Sequence, residues 1–432
     1  MRLRPYLDLL QRNPAFARLY VAQLISFGGD WFATVALLGL ALEMTGSGAV
    51  ASLVLVLQVA PFFVFSPIAG VLADRFDRRK LLIASDVARA FIALGFLLAR
   101  DPSTLWIALV AVAGLSAGAA FFAPTAAASL PNLVADEDLP IANVLIGSAW
   151  GTMLAVGAAV GGLVAAALGR DAAFILNSAS FVVSALLIVR IRRSFRRRRE
   201  DDEGEELFRG GFGAVGQALG ETISLARGSH TVAALLLVKT TFGVGVGAVL
   251  LLAVFGSTVF RAGDLGIGLL FAARGLGALV GPFVARSAAT ADDRRLMRGI
   301  AIALLVFIGC YLLFPLAPSI WIAAVLVFGA HLGGGAQWTL SSYGLQRSVP
   351  DRIRGRVFSF DYAMLTLTVA VSTLIAGQLV DPVGPAVALY ALMGAATLAS
   401  AAWLIWTRSL WRPARSSHSD EKEAAGIAGG PR

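Results

Sequence analysis

Three charged residues lie deep inside long apolar stretches of the sequence, where a charge is costly. Asp30, Lys239 and Arg274 each have apolar residues on both sides. A charged side chain at the centre of a bilayer costs about 2.5–3.5 kcal/mol on insertion scales, so each should face a cavity or a partner. We predict that Asp30 carries a proton or contacts a bound molecule. Lys239 and Arg274 would then favour anionic or polar groups on that molecule.

Two of these charges have structural alternatives. Asp30 could pair with a base or with helix backbone. Lys239 could extend its apolar stem toward the membrane surface or form a structural pair. For Asp30 the spacing favours a cavity, because Gln23, Phe27 and Thr34 share one helical face with it. This stripe predicts a polar wall along the first apolar segment.

Trp338 is a candidate for a second wall of the same cavity. It shares a helical face with His331, Gly335 and Ser342. A lone histidine among aromatic residues is more often part of the packing than a ligand. We therefore predict only a lining role for this face.

A further group of charges forms a short loop between two apolar runs. The loop reads Gly70-Val-Leu-Ala-Asp74-Arg75-Phe-Asp77-Arg78-Arg79-Lys80. Charges at this density cannot sit in hydrocarbon, so the loop must lie at a water boundary. Close to it, Asp86 and Arg89 are three residues apart and can pair on one helical face, which lowers the cost of inserting them.

The composition indicates an integral membrane protein. Apolar residues make up 57% of the 432 residues, charged residues only 15%, and the mean hydropathy is +0.77. The formal charge of +9 comes from bases spread over loops between apolar runs, so nucleic acid is not an expected partner. Cys310 is the single cysteine, which excludes a disulfide or a cysteine-based metal site within one chain.

The motifs of common enzyme classes are missing from the sequence. There is no nucleophile–base constellation, no G-x-x-x-x-G-K-[ST] loop for a nucleoside triphosphate and no H-E-x-x-H pattern for zinc. We therefore predict that the chain is not an enzyme and that it holds no cofactor and no metal.

Twelve apolar segments are long enough to cross a bilayer, since a span needs about 20 residues. The predicted spans, numbered 1 to 12, are 16–42, 48–72, 80–99, 104–128, 140–168, 171–191, 231–256, 265–286, 296–316, 319–346, 356–380 and 384–408. Bases are concentrated in the loops that follow even-numbered spans and at both chain ends. The positive-inside rule then places both termini in the cytoplasm.

The two halves of the chain resemble each other. Gly70, Arg75 and Leu81 have counterparts near Gly281, Arg286 and Leu296, although Ala285 replaces the acid at the position of Asp74. The predicted organisation is a cytoplasmic N-terminus, a six-helix half, a charged cytoplasmic linker, a second six-helix half and a disordered cytoplasmic tail. Their boundaries are 1–15, 16–191, 192–229, 230–408 and 409–432. The linker could include a helix over 207–227 on the inner membrane face.

The loop Gly70–Lys80 resembles the signature loop between helices 2 and 3 of the major facilitator superfamily. The resemblance implies an all-α integral membrane fold of twelve transmembrane helices in two pseudo-symmetric halves, with substrate bound between them. It also implies that Asp74 docks on the N-terminus of span 11, where a carboxylate gains about 0.3–1 kcal/mol. The residues predicted for this cytoplasmic gate are Gly70, Asp74, Arg75, Arg79, Asp86, Arg89 and Asp361.

Four further segments are similar to the macrolide-efflux and enterobactin-exporter-like branch of that superfamily. They are Asn13 to Trp31, Leu42 to Ser47, Ala120 to Pro124 and Arg354 to Ser359. The similarity covers about residues 16–408. It implies a plasma-membrane exporter, monomeric and driven by an ion gradient that is usually protons. One departure is Ala158, which stands where many drug–proton antiporters have proline.

The expected function is proton-coupled export of amphipathic small molecules such as a drug, a macrolide or a siderophore. The alternatives are uptake or lipid flipping by the same fold, and a membrane sensor or scaffold that transports nothing. The expected partners are a small-molecule substrate, a proton or other cation gradient and the lipid bilayer.

Overall fold

The described residues of the computed structural model form helices joined by short turns, with no strand among them. The structure describes residues 4–192, 195, 211–289 and 292–411. Side chains at 62–63, 66–75, 136, 140, 211–219, 287, 351–352 and 355 are outside that description. The predicted tail therefore lies almost wholly outside the described residues, as does most of the charged part of the linker.

Each predicted span corresponds to a helix. In order, spans 1 to 12 are Pro14–Thr45, Gly48–Arg75, Arg78–Leu94, Leu105–Leu133, Leu139–Leu168, Arg170–Val189, His230–Val246, Gly263–Ala285, Asp293–Leu313, Ile320–Ser348, Asp351–Val383 and Pro385–Trp406. Span 7 continues through Ala248–Val254 and a π-helical turn at Phe255–Val259. Within the described residues, eleven spans meet the length and hydropathy required to cross a membrane, and span 2 contributes a shorter apolar part, Gly48–Pro61.

Local sequence signals set several helix ends. The Asn13 side chain accepts a hydrogen bond from the Phe16 N–H at the start of span 1, and Asp77 does the same for Lys80 at the start of span 3. Single glycines with positive φ precede span 6 and span 12, at Gly169 (φ 85°) and Gly384 (φ 81°). The same turn therefore recurs at equivalent places in the two halves.

The packing of the helices has the same pattern in both halves. In the first half, span 1 contacts spans 5 and 6, and span 4 contacts spans 2 and 3. In the second half, span 7 contacts spans 11 and 12, and span 10 contacts spans 8 and 9. The halves meet where span 2 packs on span 11 and span 5 packs on span 8. Because spans 1 to 6 correspond to spans 7 to 12, the contact between spans 2 and 11 is the symmetry counterpart of the contact between spans 8 and 5.

Alternation of the helices brings both chain ends to one end of the bundle. We call the opposite end, which carries the turns at Gly46, Arg100, Gly169, Arg261 and Gly384, the distal end. Near the terminal end, a helix at Arg4–Arg12 precedes span 1, and its Arg12 pairs with Asp138. The helix Gly211–Gly228 precedes span 7 and is joined to span 11 by an ion pair between Glu221 and Arg356.

Candidate functional site

A cavity of about 200 Å³ lies beside span 1, and Asp30 is one of its walls. Most of its lining is apolar or aromatic, with a few polar groups. The lining residues are Phe27, Asp30, Trp31, Ala33, Thr34, Leu37, Gln58, Phe96, Val112, Leu115, Ser116, Ala119 and Trp150. The predicted stripe of span 1 thus reaches the cavity with Phe27, Asp30 and Thr34. Gln23 is not among the lining residues and is 4% exposed.

The Asp30 carboxylate is partly buried and has no hydrogen bond or ion pair within the described part of the chain. The charged groups that act on it are Arg89 and Asp86, which already pair with each other. The neighbouring Thr34 hydroxyl accepts a hydrogen bond from the side-chain amide of Gln58, and the backbone carbonyl of Gln58 accepts one from the Ser116 hydroxyl. Asp30 is therefore a carboxylate on a cavity wall with room for a proton or a cationic group.

Arg274 of span 8 lies near two aromatic residues that line this cavity, Trp31 and Trp150, and near Phe271, which packs against Trp31. Its guanidinium carbon is 5.9 Å from the ring centres of Trp31 and Trp150 and 5.8 Å from that of Phe271. No carboxylate pairs with it among the described residues. Each cation–π contact stabilises the guanidinium by about 0.5–2 kcal/mol, which is less than the hydration energy that it loses away from water. The first and second halves thus contribute opposite, unpaired charges to one aromatic region.

Lys239 does not belong to that region, because it pairs with Asp361. The ammonium of Lys239 in span 7 contacts the Asp361 carboxylate in span 11 and lies 3.0 Å from the Ser342 hydroxyl. Both charged side chains are 3% exposed. The Trp338 ring centre is 4.8 Å from the ammonium nitrogen. Asp361 lies about 15 Å along span 11 from its start. There it belongs to this buried pair with Lys239.

Asp86 and Arg89 form a second buried pair, in span 3. Ser184 of span 6 donates a 2.6 Å hydrogen bond to Asp86, and Arg89 donates one of 3.3 Å to Ser26 of span 1. The Arg89 guanidinium also lies 4.5 Å from the centre of the Phe181 ring. These contacts hold spans 1, 3 and 6 together.

The gate residues of the charged loop are only partly described. Gly70, Asp74 and Arg75 lie in the last part of span 2, and their side chains are outside the described residues. Arg79 at the start of span 3 donates hydrogen bonds to the carbonyls of Ile188 and Val189 at the end of span 6. A cation is favourable at a helix C-terminus, so this contact stabilises the first half.

The predicted face of span 10 divides among three neighbours. Trp338 and Ser342 contact Lys239, whereas buried His331 shares a 2.9 Å hydrogen bond with the Tyr311 hydroxyl of span 9. Gly335 packs against the backbone of Ala278 in span 8. The face is therefore a packing seam and not one continuous wall.

At the distal end, three charged residues join the halves. Arg170 of span 6 bonds Asp264 of span 8 at two points, with Nε–Oδ2 at 2.8 Å and Nη2–Oδ1 at 3.2 Å. Its third nitrogen is 2.7 Å from the Glu43 carboxylate at the end of span 1. We call Glu43, Arg170 and Asp264 the distal ion cluster. Asp264 is 9% exposed, so water screens its pair with Arg170 only weakly.

A second contact closes the distal end at the other interface. Asp381 near the end of span 11 accepts 2.7 Å hydrogen bonds from the Ser47 hydroxyl and from the Gly48 N–H. These groups begin span 2, so a carboxylate of one half caps a helix of the other. Such a cap is worth about 0.5–2 kcal/mol.

Small residues let spans 5 and 8 approach closely below the distal ion cluster. A Cβ added at Gly162 would lie 2.8 Å from the Gly268 Cα, and one added at Gly268 would lie 2.7 Å from the Ala158 carbonyl oxygen. Larger side chains would force the halves apart here. The glycines of span 5 thus serve close packing between the halves.

Sequence reasoning missed the residues of the distal end. Glu43, Arg170, Asp264 and Asp381 lie at span ends, where a charge needs no special explanation. One signal for them is available in the sequence. Counting the alternating spans places all four residues at the same end of the bundle, where they can meet. Within the described residues, no group of three or more His, Cys, Asp or Glu side chains is placed to hold a metal ion.

The mirrored six-helix halves, with charges facing a cavity, define a multi-pass membrane transporter of the major facilitator fold. The family model described as "Transmembrane secretion effector" matches residues 9–424, and the chain belongs to that family. Its relatives are transporters and not enzymes.

The relatives and solved structures agree with that assignment. A candidate bacilysin exporter, BacE of Bacillus subtilis (strain 168), is 27% identical over 375 residues, covering 86% of this chain and 90% of that protein. Macrolide efflux protein A of Streptococcus pyogenes is 32% identical over 126 residues, 29% of this chain and 31% of that protein. In fold, the chain is similar to an inward-facing bacterial homologue of the human lysosomal transporter Spinster (TM-score 0.71, 16% identity, 93% and 98% of the two chains). It is also similar to an inward-facing bacterial homologue of the iron transporter ferroportin (TM-score 0.67, 16% identity, 91% and 98%).

Proposed function

We propose that the protein is a proton-coupled exporter of amphipathic small molecules that works by alternating access in the plasma membrane. The observation that carries the proposal is the unpaired Asp30 carboxylate on the wall of a largely apolar cavity, whose other polar lining residues, Thr34, Gln58 and Ser116, carry no charge. A buried carboxylate is stable when it binds a proton or a cationic group. Competition between the two for Asp30 would couple inward proton flow to outward movement of substrate.

The interface between the halves supports alternating access. The halves are held together at the distal end by Arg170 with Asp264 and by Asp381 with the start of span 2. For substrate to leave at that end, both contacts must open. The ion pairs Arg12–Asp138 and Arg347–Asp293 near the terminal end each join elements of one half, so they need not break in that motion.

We further propose that both termini are cytoplasmic, that the protein acts as a monomer, and that Asp74 with Gly70, Arg75 and Arg79 gates the terminal end against span 11. The positive-inside pattern and the resemblance of the charged loop support this orientation. The relatives named for bacilysin export and macrolide efflux support export as the direction.

Reconstitution in proteoliposomes tests the proposal. An imposed pH gradient should drive accumulation of at least one compound from a panel of macrolides, siderophores and small peptides, and a protonophore should abolish it. Accumulation of no compound above protein-free vesicles, or accumulation that ignores the gradient, would contradict the proposal.

A further inference from the structure

The aromatic region between the halves has one unpaired cation and one unpaired anion. Arg274 keeps its charge under all physiological conditions, because a guanidinium does not lose its proton in proteins. Among the described residues it has no carboxylate partner, and its guanidinium lies over the rings of Trp31, Trp150 and Phe271. A carboxylate or another anionic group is therefore needed to complete the surroundings of Arg274.

The other ionic groups inside the bundle are already matched. Lys239 pairs with Asp361, and Arg89 pairs with Asp86. Asp30 and Arg274 thus remain as the unmatched pair of the described membrane interior. They come from different halves, so a molecule that touches both would bridge the interface that must open and close.

Trp31 and Trp150 connect these two charges. Both indoles line the cavity that contains Asp30, and both lie 5.9 Å from the Arg274 guanidinium carbon. Their ring centres are 6.3 Å apart with an interplanar angle of 70°. These rings touch edge to face, so a flat apolar group can pack against their exposed surfaces while its polar ends reach the charges on either side.

The size of the cavity limits the bound molecule. Pockets for drug-sized ligands measure roughly 300–1,000 Å³, whereas this one measures about 200 Å³. We infer that the site selects small zwitterions with an aromatic or bulky apolar body, whose cationic group faces Asp30 and whose anionic group faces Arg274. This inference rests on the proposed transport function, which it narrows to a substrate class.

A four-member probe series tests the inference with the full chain in lipid nanodiscs. L-phenylalanine is the zwitterion, its methyl ester the cation, its N-acetyl derivative the anion, and the N-acetyl methyl ester the neutral member. Isothermal titration calorimetry should show the zwitterion binding roughly tenfold tighter than either singly charged member. The reason is that the zwitterion makes one more charge-assisted contact than either of them.

Variants assign the preference to the two residues. Arg274→Gln should lower the affinity for phenylalanine to that for its ester, and Arg274→Lys should restore part of the difference. Asp30→Asn should lower the affinity for phenylalanine to the affinity for its N-acetyl derivative. Arg298→Gln, the same change at an exposed position, should alter nothing. If Arg274→Gln is poorly folded, the Arg274→Lys and Asp30→Asn comparisons still decide the matter.

Two results would overturn the inference. One is equal binding, or no binding, of the four probes to the native protein. The other is a preference for zwitterion over ester that survives in Arg274→Gln. If a neutral or purely cationic compound accumulates under a pH gradient while the probe series shows no charge preference, the proposed transport function stands and the zwitterion class fails.

Discussion

Arg170 and Asp264 form a two-point ion pair across the boundary between the two halves, although 94 residues separate them in the chain. The pair is largely shielded from water and lies at the distal end, where both interfaces between the halves are closed. It ties the orientation of span 6 in one half to that of span 8 in the other. Opening the distal end must separate these two side chains.

Loss of this pair should favour distal opening. In a Cys310→Ala background, Ser52→Cys places a thiol at a fully buried position that faces Gly377 of span 11 across the second interface. Adding Arg170→Gln should raise the rate of labelling by a membrane-impermeant maleimide about tenfold, since a charge-assisted bond is worth about 1.5–3 kcal/mol.

The matched control is Arg100→Gln. Arg100 pairs with Asp171 at the same end, but within one half and with side chains 60% and 52% exposed. Exposed pairs contribute about 0–1 kcal/mol, so the labelling rate should stay near that of the parent. Equal rates in the Arg170 and Arg100 variants would show that the distal ion cluster does not hold the halves together.

Asp381→Ala should act in the same direction at the other interface. Removing the carboxylate leaves the first N–H groups of span 2 without their cap, at a cost of about 0.5–2 kcal/mol. The same maleimide assay should show faster labelling of Ser52→Cys. Asp381→Asn should have a smaller effect, because asparagine also caps helices well. A labelling rate unchanged by Asp381→Ala would contradict the capping role.

Replacing only one residue of the Lys239–Asp361 pair should lower stability much more than replacing both. Lys239→Met or Asp361→Leu alone should destabilise the protein by about 3–5 kcal/mol, because each leaves an uncompensated buried charge. The double variant should recover most of that loss. The stability of each variant is measured by heating the purified protein and monitoring its loss of monodispersity. Additive losses in the double variant would show that the two side chains do not depend on each other.

The sequence predicts the fold well, because the main signal for each span is its own composition. The span limits agree with the helices to within a few residues, and the repeat of the halves follows from the same pattern. Gly169 and Gly384, with matching backbone angles, extend that repeat to the turns.

Pairings between distant residues could not be predicted in the same way. Helical spacing gives the face that a residue occupies on its own helix, but not the neighbour that this face meets. The position of Asp361 early in span 11 suggests a part in a cytoplasmic gate, but it does not show that the side chain lies against Lys239. The spacing that joined Gln23 to Asp30 also could not show that only one of them lines a cavity. Arg170 and Asp264 were missed for the same reason, since the contact forms between two halves.

The most direct test of the central claim is transport by Asp30→Asn under an imposed pH gradient. Asp101→Asn is the matched control, because Asp101 lies in an exposed loop where the hydrogen bond from the Ser103 hydroxyl chiefly lowers its pKa. The proposed coupling predicts that Asp30→Asn loses gradient-driven accumulation of a compound that the native protein and the control accumulate, while exchange of that compound between equal pH compartments continues. Gradient-driven accumulation at the native rate in Asp30→Asn would contradict it.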